Sequence, residues 1–241
     1  MTYRDDFSKY SGRSNKDVLE AVFTSIPKNL GSVTKYSNLN RGSRTDVVKK
    51  ALELLVIARV CHKVSSVSAE GVPLGATVNP KKFKALFIDV GLATAALGFI
   101  MDVNFRDEEL VMINNGSIAE QVVGQLLRAG IPHYMDKELY YWSRDKKGAE
   151  AEVDYITSYG QTIVPIEVKA GKTGSMKSLH SLMHSKSLSF AIRVNSDLPS
   201  RVHVEHGLRD GIKSNYDLLS LPCYMVEQIP RFLADEMNQL K

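Results

Sequence analysis

Residues 152–169, EVDYITSYGQTIVPIEVK, constrain this chain more than any other stretch. They read as two short strand-like runs joined by a polar turn at Ser158-Tyr159-Gly160. The second run alternates with a strand's period of two, so Val164, Ile166 and Val168 point one way and Pro165, Glu167 and Lys169 the other. In a hairpin, Asp154 on the neighbouring strand comes beside Glu167 and Lys169. Two carboxylates and an ammonium in one cleft suit a divalent cation and an anionic substrate. The same alternation also describes a solvated edge hairpin on which Glu167 and Lys169 pair loosely. The rest of the chain has to weigh the two.

Its 241 residues suffice for one large domain or two modest ones, each with a core of its own. A hydrophobic fraction of 44% with 24% charged residues is that of a globular chain. The net charge of +4 permits a nucleic-acid partner without specifying one. Cys61 and Cys223 lack metal-site spacing and imply no disulfide framework, so they read as buried thiols of a reducing cytoplasm. No apolar run approaches the roughly 18 residues of a membrane helix, and the N-terminus has no signal-peptide core. The expectation is a cytoplasmic protein without membrane contact.

Residues 1–13 form a polar and aromatic arm. Ser14 or Asn15 caps a predicted helix to Ile26, whose Val18, Leu19, Val22, Phe23 and Ile26 make one apolar stripe. Pro27 and Gly31 end it, and a short helix or turn follows over 33–39. Ser43 is expected to cap a longer helix, in which Val47, Val48, Ala51, Leu52, Leu54, Leu55 and Ala58 face a core. Strand-like runs at 60–67 and 84–89 come next. Helix, short helix, longer helix and β-hairpin is the order of a winged helix-turn-helix, whose longer helix enters a major groove. Arg41, Arg44, Lys49 and Lys50 sit on or before that helix and are the candidate DNA contacts. They equally describe a solvated face, and winged helices also serve as protein-docking units.

A small apolar helix over 93–100 reads as a junction. A long amphipathic helix is predicted over 107–129, with Gly116 as a break and Glu120 among its apolar positions. A strand at 139–142, the hairpin, a helix over 175–184, a strand at 188–194 and a final strand and helix follow. This order predicts an α/β domain with a mixed central sheet. His180 and His184 share one helix at i and i+4 without the H-E-x-x-H pattern, and His203 and His206 stand near Glu205. These histidines read as ordinary surface or core residues. Neither a G-x-S-x-G turn nor a phosphate-cradling G-x-x-x-x-G-K-[ST] loop is present.

Glu120 on a helix, Asp154, and then Glu167-Val168-Lys169 resemble the PD-(D/E)XK, or restriction-endonuclease-like, nuclease superfamily. Tyr140-Tyr141-Trp142-Ser143, Glu152-Val153-Asp154-Tyr155-Ile156 and Pro165 through Gly171 narrow the likeness. They look like the C-terminal domain, of unassigned function, of a group of prokaryotic AAA+-type ATPases. Residues 86–92, Leu-Phe-Ile-Asp-Val-Gly-Leu, are similar to that group's junction after the wing, and Tyr36-Ser37-Asn38-Leu39 to its first recognition turn. The resemblance runs from about Ser14 onward; the ATPase domain is missing, and residues 1–12 look like the stub where it ended.

The resemblance implies three segments: the arm at 1–13, a winged helix with its junction over 14–100, and a nuclease-like domain over 101–241. It implies that Asp154 and Glu167 ligate Mg²⁺ or Mn²⁺, that Glu120 completes or orients the site, and that Lys169 acts on the attacking water and the phosphate. The expected activity is metal-dependent hydrolysis of DNA phosphodiesters, as the effector half of an ATPase-linked system and without ATP hydrolysis by this chain. The alternative is a catalytically silent DNA- or protein-binding module of such an ATPase, partnered by the missing domain.

Overall fold

The computed structural model describes residues 7, 13–98, 115–130, 138–146, 149–171, 175–207 and 213–239. Residues 107–114 of the predicted long helix, 99–100 of the junction helix and nearly all of the N-terminal arm lie outside them. The described elements are helices α1 (Arg13–Ser25), α2 (Tyr36–Leu39), α3 (Thr45–Ile57), α4 (Val90–Ala96), α5 (Asn115–Ala129), α6 (Lys177–Ser185) and α7 (Ile229–Gln239). The strands are β1 (Cys61–Val67), β2 (Val78–Phe87), β3 (Leu139–Lys146), β4 (Ala149–Tyr159), β5 (Thr162–Val168), β6 (Phe190–Asn195), β7 (Ser200–Gly207) and β8 (Lys213–Pro222). They join in one mixed sheet of order β2-β1-β3-β4-β5-β6-β8-β7. A helical N-terminal part followed by a sheet-rich part with a mixed sheet is the α/β class the sequence predicts.

The chain divides into two compact units, Met1–Lys63 with Lys82–Gln121, and Val64–Lys81 with Val122–Lys241. The division passes through β1, β2 and α5.

In the first unit, the apolar stripe of α1 buries Leu19, Val22 and Ile26 against Leu39 of α2, Val48, Leu52 and Leu55 of α3, and Phe83 and Phe87 of β2. Phe23 meets Phe7 and Phe87 edge-on, with ring centroids 5.4 and 5.3 Å apart. Ser25 Oγ donates to the Leu39 carbonyl at 2.7 Å, which ties the end of α1 to α2. Ser43 does not cap α3: the helix begins after Arg44 without a side-chain cap, and the Ser43 hydroxyl accepts from Asn40 Nδ2 instead. Asp89 caps the junction helix α4 by accepting from Leu92 N–H. Cys61 is buried, and that burial pushes its thiol up to about 12, so it is inert packing.

In the second unit, the 64–67 part of β1 runs parallel to β3, β3, β4 and β5 form an antiparallel meander, and β5, β6 and β8 are parallel. Helix α6 crosses over between β5 and β6 and buries Leu179, Leu182 and Met183 against Trp142, Val153, Ile156, Ile163, Ala191, Tyr216 and Leu218. Strand β7, absent from the sequence expectation, lies antiparallel to β8 at the sheet edge. Apart from Val202 and Val204 it carries no large apolar residue, and it is mostly exposed, as suits an edge that must not recruit further strands. Among the described residues no helix is long and apolar enough to cross a membrane.

Candidate functional site

Strand β5 is not an edge. It pairs with β4 on one side and β6 on the other, and every residue from Ile163 to Val168 is buried. The reading of Glu167 as part of a solvated hairpin face therefore fails: its exposure is 5%. A carboxylate in the middle of a sheet needs a counter-charge. Lys169 supplies one, its Nζ standing 2.5 Å from Glu167 Oε1. The lysine follows the last residue of β5, and its backbone N–H donates to the Val194 carbonyl at 2.8 Å, which fixes where its side chain starts.

Asp154 reaches the same place from β4. Tyr140 opposes Ile156 and Trp142 opposes Val153, so Asp154 and Tyr155 together span the room of Tyr141 alone. This is a β-bulge, which bends its strand and re-aims the side chains on it. The pairing of β4 with β5 runs to Tyr155 and Ile166, and past it the Asp154 carboxylate accepts the backbone N–H of Val168 at 2.8 Å through Oδ2. Asp154 is half-buried, open enough for a ligand to approach. The structure thus brings Asp154, at the bulge in the middle of β4, beside the end of β5 that carries Glu167 and leads into Lys169.

Two carboxylates on adjacent strands form a hard oxygen donor set. Mg²⁺ and Mn²⁺ sites often use one or two protein carboxylates, with waters and substrate oxygens filling the remaining positions. The donor set fits such an ion, and Lys169 shares one of its oxygens. Among the described residues no three His, Cys, Asp or Glu side chains group as a metal site.

Glu120 sits in the first unit, where its Oε1 accepts from Lys84 Nζ at 2.7 Å with both side chains almost wholly buried. The adjacent Gln121 holds both backbone groups of Phe87, accepting from its N–H at 2.9 Å and donating to its carbonyl at 2.8 Å. A Cβ on Gly31 would come within 3.0 Å of Glu120 Oε2. Together these contacts fix α5 to β2 and to the Gly31 loop inside that unit.

Sequence reasoning missed a second layer of polar groups in the sheet. The register of β5 with β6 sets Arg193 beside Glu167, and that of β6 with β8 sets Ser220 beside Arg193. Arg193 Nε donates to Ser220 Oγ at 3.1 Å. Tyr216, on β8, is buried, and its hydroxyl is pushed up to about 12 by burial and by Glu167, against the opposing pull of Arg193. That hydroxyl lies 3.0 Å from His180 Nδ1, and the His180 ring stacks on His206 at 3.9 Å. His180 is thus a buried group of this unit while His184, one turn on, is exposed, and the two share no site. The signal available in the sequence was a single cation, Arg193, set among the apolar Phe190, Ala191, Ile192 and Val194.

A separate cavity of about 370 Å³ in the second unit is lined by Leu127, Tyr140, Tyr155, Thr157 and Ile166 among others. Neither acid lines it, so it is not the acid site.

On α3, Arg44 pairs with Asp46 at 3.2 Å and Lys49 with Glu53 at 3.9 Å, both on exposed surface. Arg41 and Lys50 are exposed beside them. The same helix exposes Leu54 and Ile57, the latter at 78%.

Two family models match the chain. Residues 1–102 match a domain of unknown function, DUF8612, and residues 115–224 match another, DUF4143. DUF4143 is commonly found beside AAA ATPases. The second match spans the whole bulged hairpin, Lys169, Arg193 and Tyr216. Neither curated proteins nor solved structures provide a match.

Proposed function

We propose that the second unit is a PD-(D/E)XK-type nuclease domain that hydrolyses DNA phosphodiesters, and that the helical first unit is a winged helix that docks it to its target. The observation that carries the reading is the convergence of Asp154, from the bulge in the middle of β4, with Glu167 and Lys169 at the end of β5, by way of a backbone N–H. Asp154 and Glu167 hold Mg²⁺ or Mn²⁺, which when bound supplies Lewis-acid polarisation of a phosphoryl oxygen. Lys169 is the chain's own cation there. From its place against Glu167 it orients the attacking water and offsets charge that develops on the phosphate. Glu120 contributes by fixing α5 through Lys84. The occurrence of DUF4143 beside AAA ATPases supports a role as the effector half of an ATPase-linked system in the cytoplasm.

A second reading is favoured by one observation: Leu54 and Ile57 are exposed one helical turn apart on α3. A pair of exposed apolar side chains on the would-be recognition helix suits a protein partner, and the module is then a catalytically silent docking half of an ATPase.

Plasmid nicking with Mg²⁺ or Mn²⁺, compared between wild type and Asp154→Asn, tests the first reading. Metal-dependent nicking that the variant loses supports it; identical activity in both proteins removes it in favour of docking.

A further inference from the structure

Beside the acid pair, the sheet carries a second cation that no part of the metal chemistry uses. Arg193 is the half-exposed residue in a strand whose other five residues are buried. In a parallel pair, residues in register project to the same face, so Arg193 emerges on the face of Glu167, its partner in β5. Its Nε is committed to Ser220 Oγ at 3.1 Å, which orients the guanidinium plane. The next residue, Val194, accepts the Lys169 backbone N–H at 2.8 Å, which keeps the two cation-bearing strand ends side by side.

Resting on the nuclease reading, we propose that Arg193 is a substrate-binding residue of this site: oriented by Ser220, its guanidinium takes a phosphate oxygen of the nucleic-acid backbone beside the one that meets Lys169. A planar guanidinium with one N–H committed to a hydroxyl still presents an N–H₂ edge, the geometry that matches a phosphate. A strand-borne arginine held by a neighbouring strand is also more rigidly placed than one on a loop. Both cations belong to the surroundings of Glu167, Lys169 through its ion pair and Arg193 through the register of β5 with β6. They give a polyanion two fixed points of attachment at the cation site.

The test is fluorescence anisotropy of a labelled duplex of about 20 base pairs with Ca²⁺ in place of the catalytic metal, over a salt series, for wild type, Arg193→Gln and Ser220→Ala. Loss of one phosphate contact lowers the salt slope by about 0.9. Arg193→Gln is expected to show that drop with about tenfold weaker binding, and Ser220→Ala several-fold weaker binding at an unchanged slope. Mg²⁺ titration of Arg193→Gln without DNA adds a readout that damage to the acid pair would move. Removing a neighbouring positive charge leaves metal affinity equal or higher, whereas disruption of Asp154 and Glu167 lowers it. Wild-type affinity and slope in both variants overturn the proposal, and so does Arg193→Gln weakening metal and DNA together. Should Arg193→Gln not fold, Ser220→Ala alone decides, because it keeps the charge and removes only the orienting hydroxyl. Failure of wild type to bind metal is a different result. When it holds both without and with the duplex it defeats the nuclease reading, while the duplex titration of the variants still decides Arg193.

Discussion

Asp154 Oδ2 accepts the backbone N–H of Val168 at 2.8 Å, so the first acid of the site also fastens the strand that carries the second. Asp154→Ala leaves that N–H without this acceptor and is expected to cost about 1–3 kcal/mol. Asp154→Asn keeps an acceptor oxygen and loses only the charge. Urea denaturation should rank the stabilities wild type, Asp154→Asn, Asp154→Ala in falling order. Equal loss in the two variants would mean that the charge, not the hydrogen bond, holds the bulge.

The Lys84–Glu120 pair is buried, with side-chain exposures of 2% and 11%. Removing one member of a buried pair takes this counter-charge from the other, at about 3–5 kcal/mol. Lys84→Met and Glu120→Leu should each destabilise the chain by that order in urea, and the double variant by less than either single change. Additive losses would mean that the two side chains do not depend on each other.

Burial first, and His206 second, push His180 down to about 4, so it stays neutral where an unfolded histidine, near 6.5, takes up a proton. Between those values the unfolded chain binds more protons. Stability from the neutral ring is therefore full above about 6.5 and is lost as pH falls toward 4. Its surroundings are the Tyr216 hydroxyl and the His206 ring. His180→Gln should flatten the fall of the urea midpoint between pH 7 and 4; identical profiles for the two proteins would place the titration elsewhere.

Arg41 and Lys50 are exposed at and before α3, and exposed pairs such as Arg44–Asp46 are worth at most about 1 kcal/mol, weak enough to open for a polyanion. Exchanging Arg41 and Lys50 for Gln should lower the salt slope of duplex binding by about 2, with folding unchanged. An unchanged slope assigns the outer face of α3, with Leu54 and Ile57, to a protein.

The class of the fold was legible because its signals are local. The stripe of α1 and the alternation of β5 each show within about ten residues; the turn between the strands falls at Gly160-Gln161 and not at Ser158-Tyr159-Gly160, since Ser158 and Tyr159 pair with Ile163 and Thr162. Asp154, Glu167 and Lys169 were legible as neighbours for the same reason: the hairpin joining them is short. What escaped depends on distant partners. The bulge at Asp154 exists only relative to β3, and Ser43 lost its capping role to a bond with Asn40 that propensity does not reveal. Lys84 is 36 residues from Glu120, and Tyr216 is 36 from His180. No periodicity connects them. Strand β7 escaped because an exposed polar edge carries little of the apolar pattern by which strands are read.

The most direct test of the central claim is calorimetric titration of Mg²⁺ and Mn²⁺ into wild type and Asp154→Asn, without and then with a short DNA duplex, since substrate phosphates complete such sites. The account predicts binding to wild type, tightened by DNA and abolished in Asp154→Asn. Heats that are the same for both proteins under both conditions would contradict it, and Asp154 and Glu167 would then be a structural pair in a docking module.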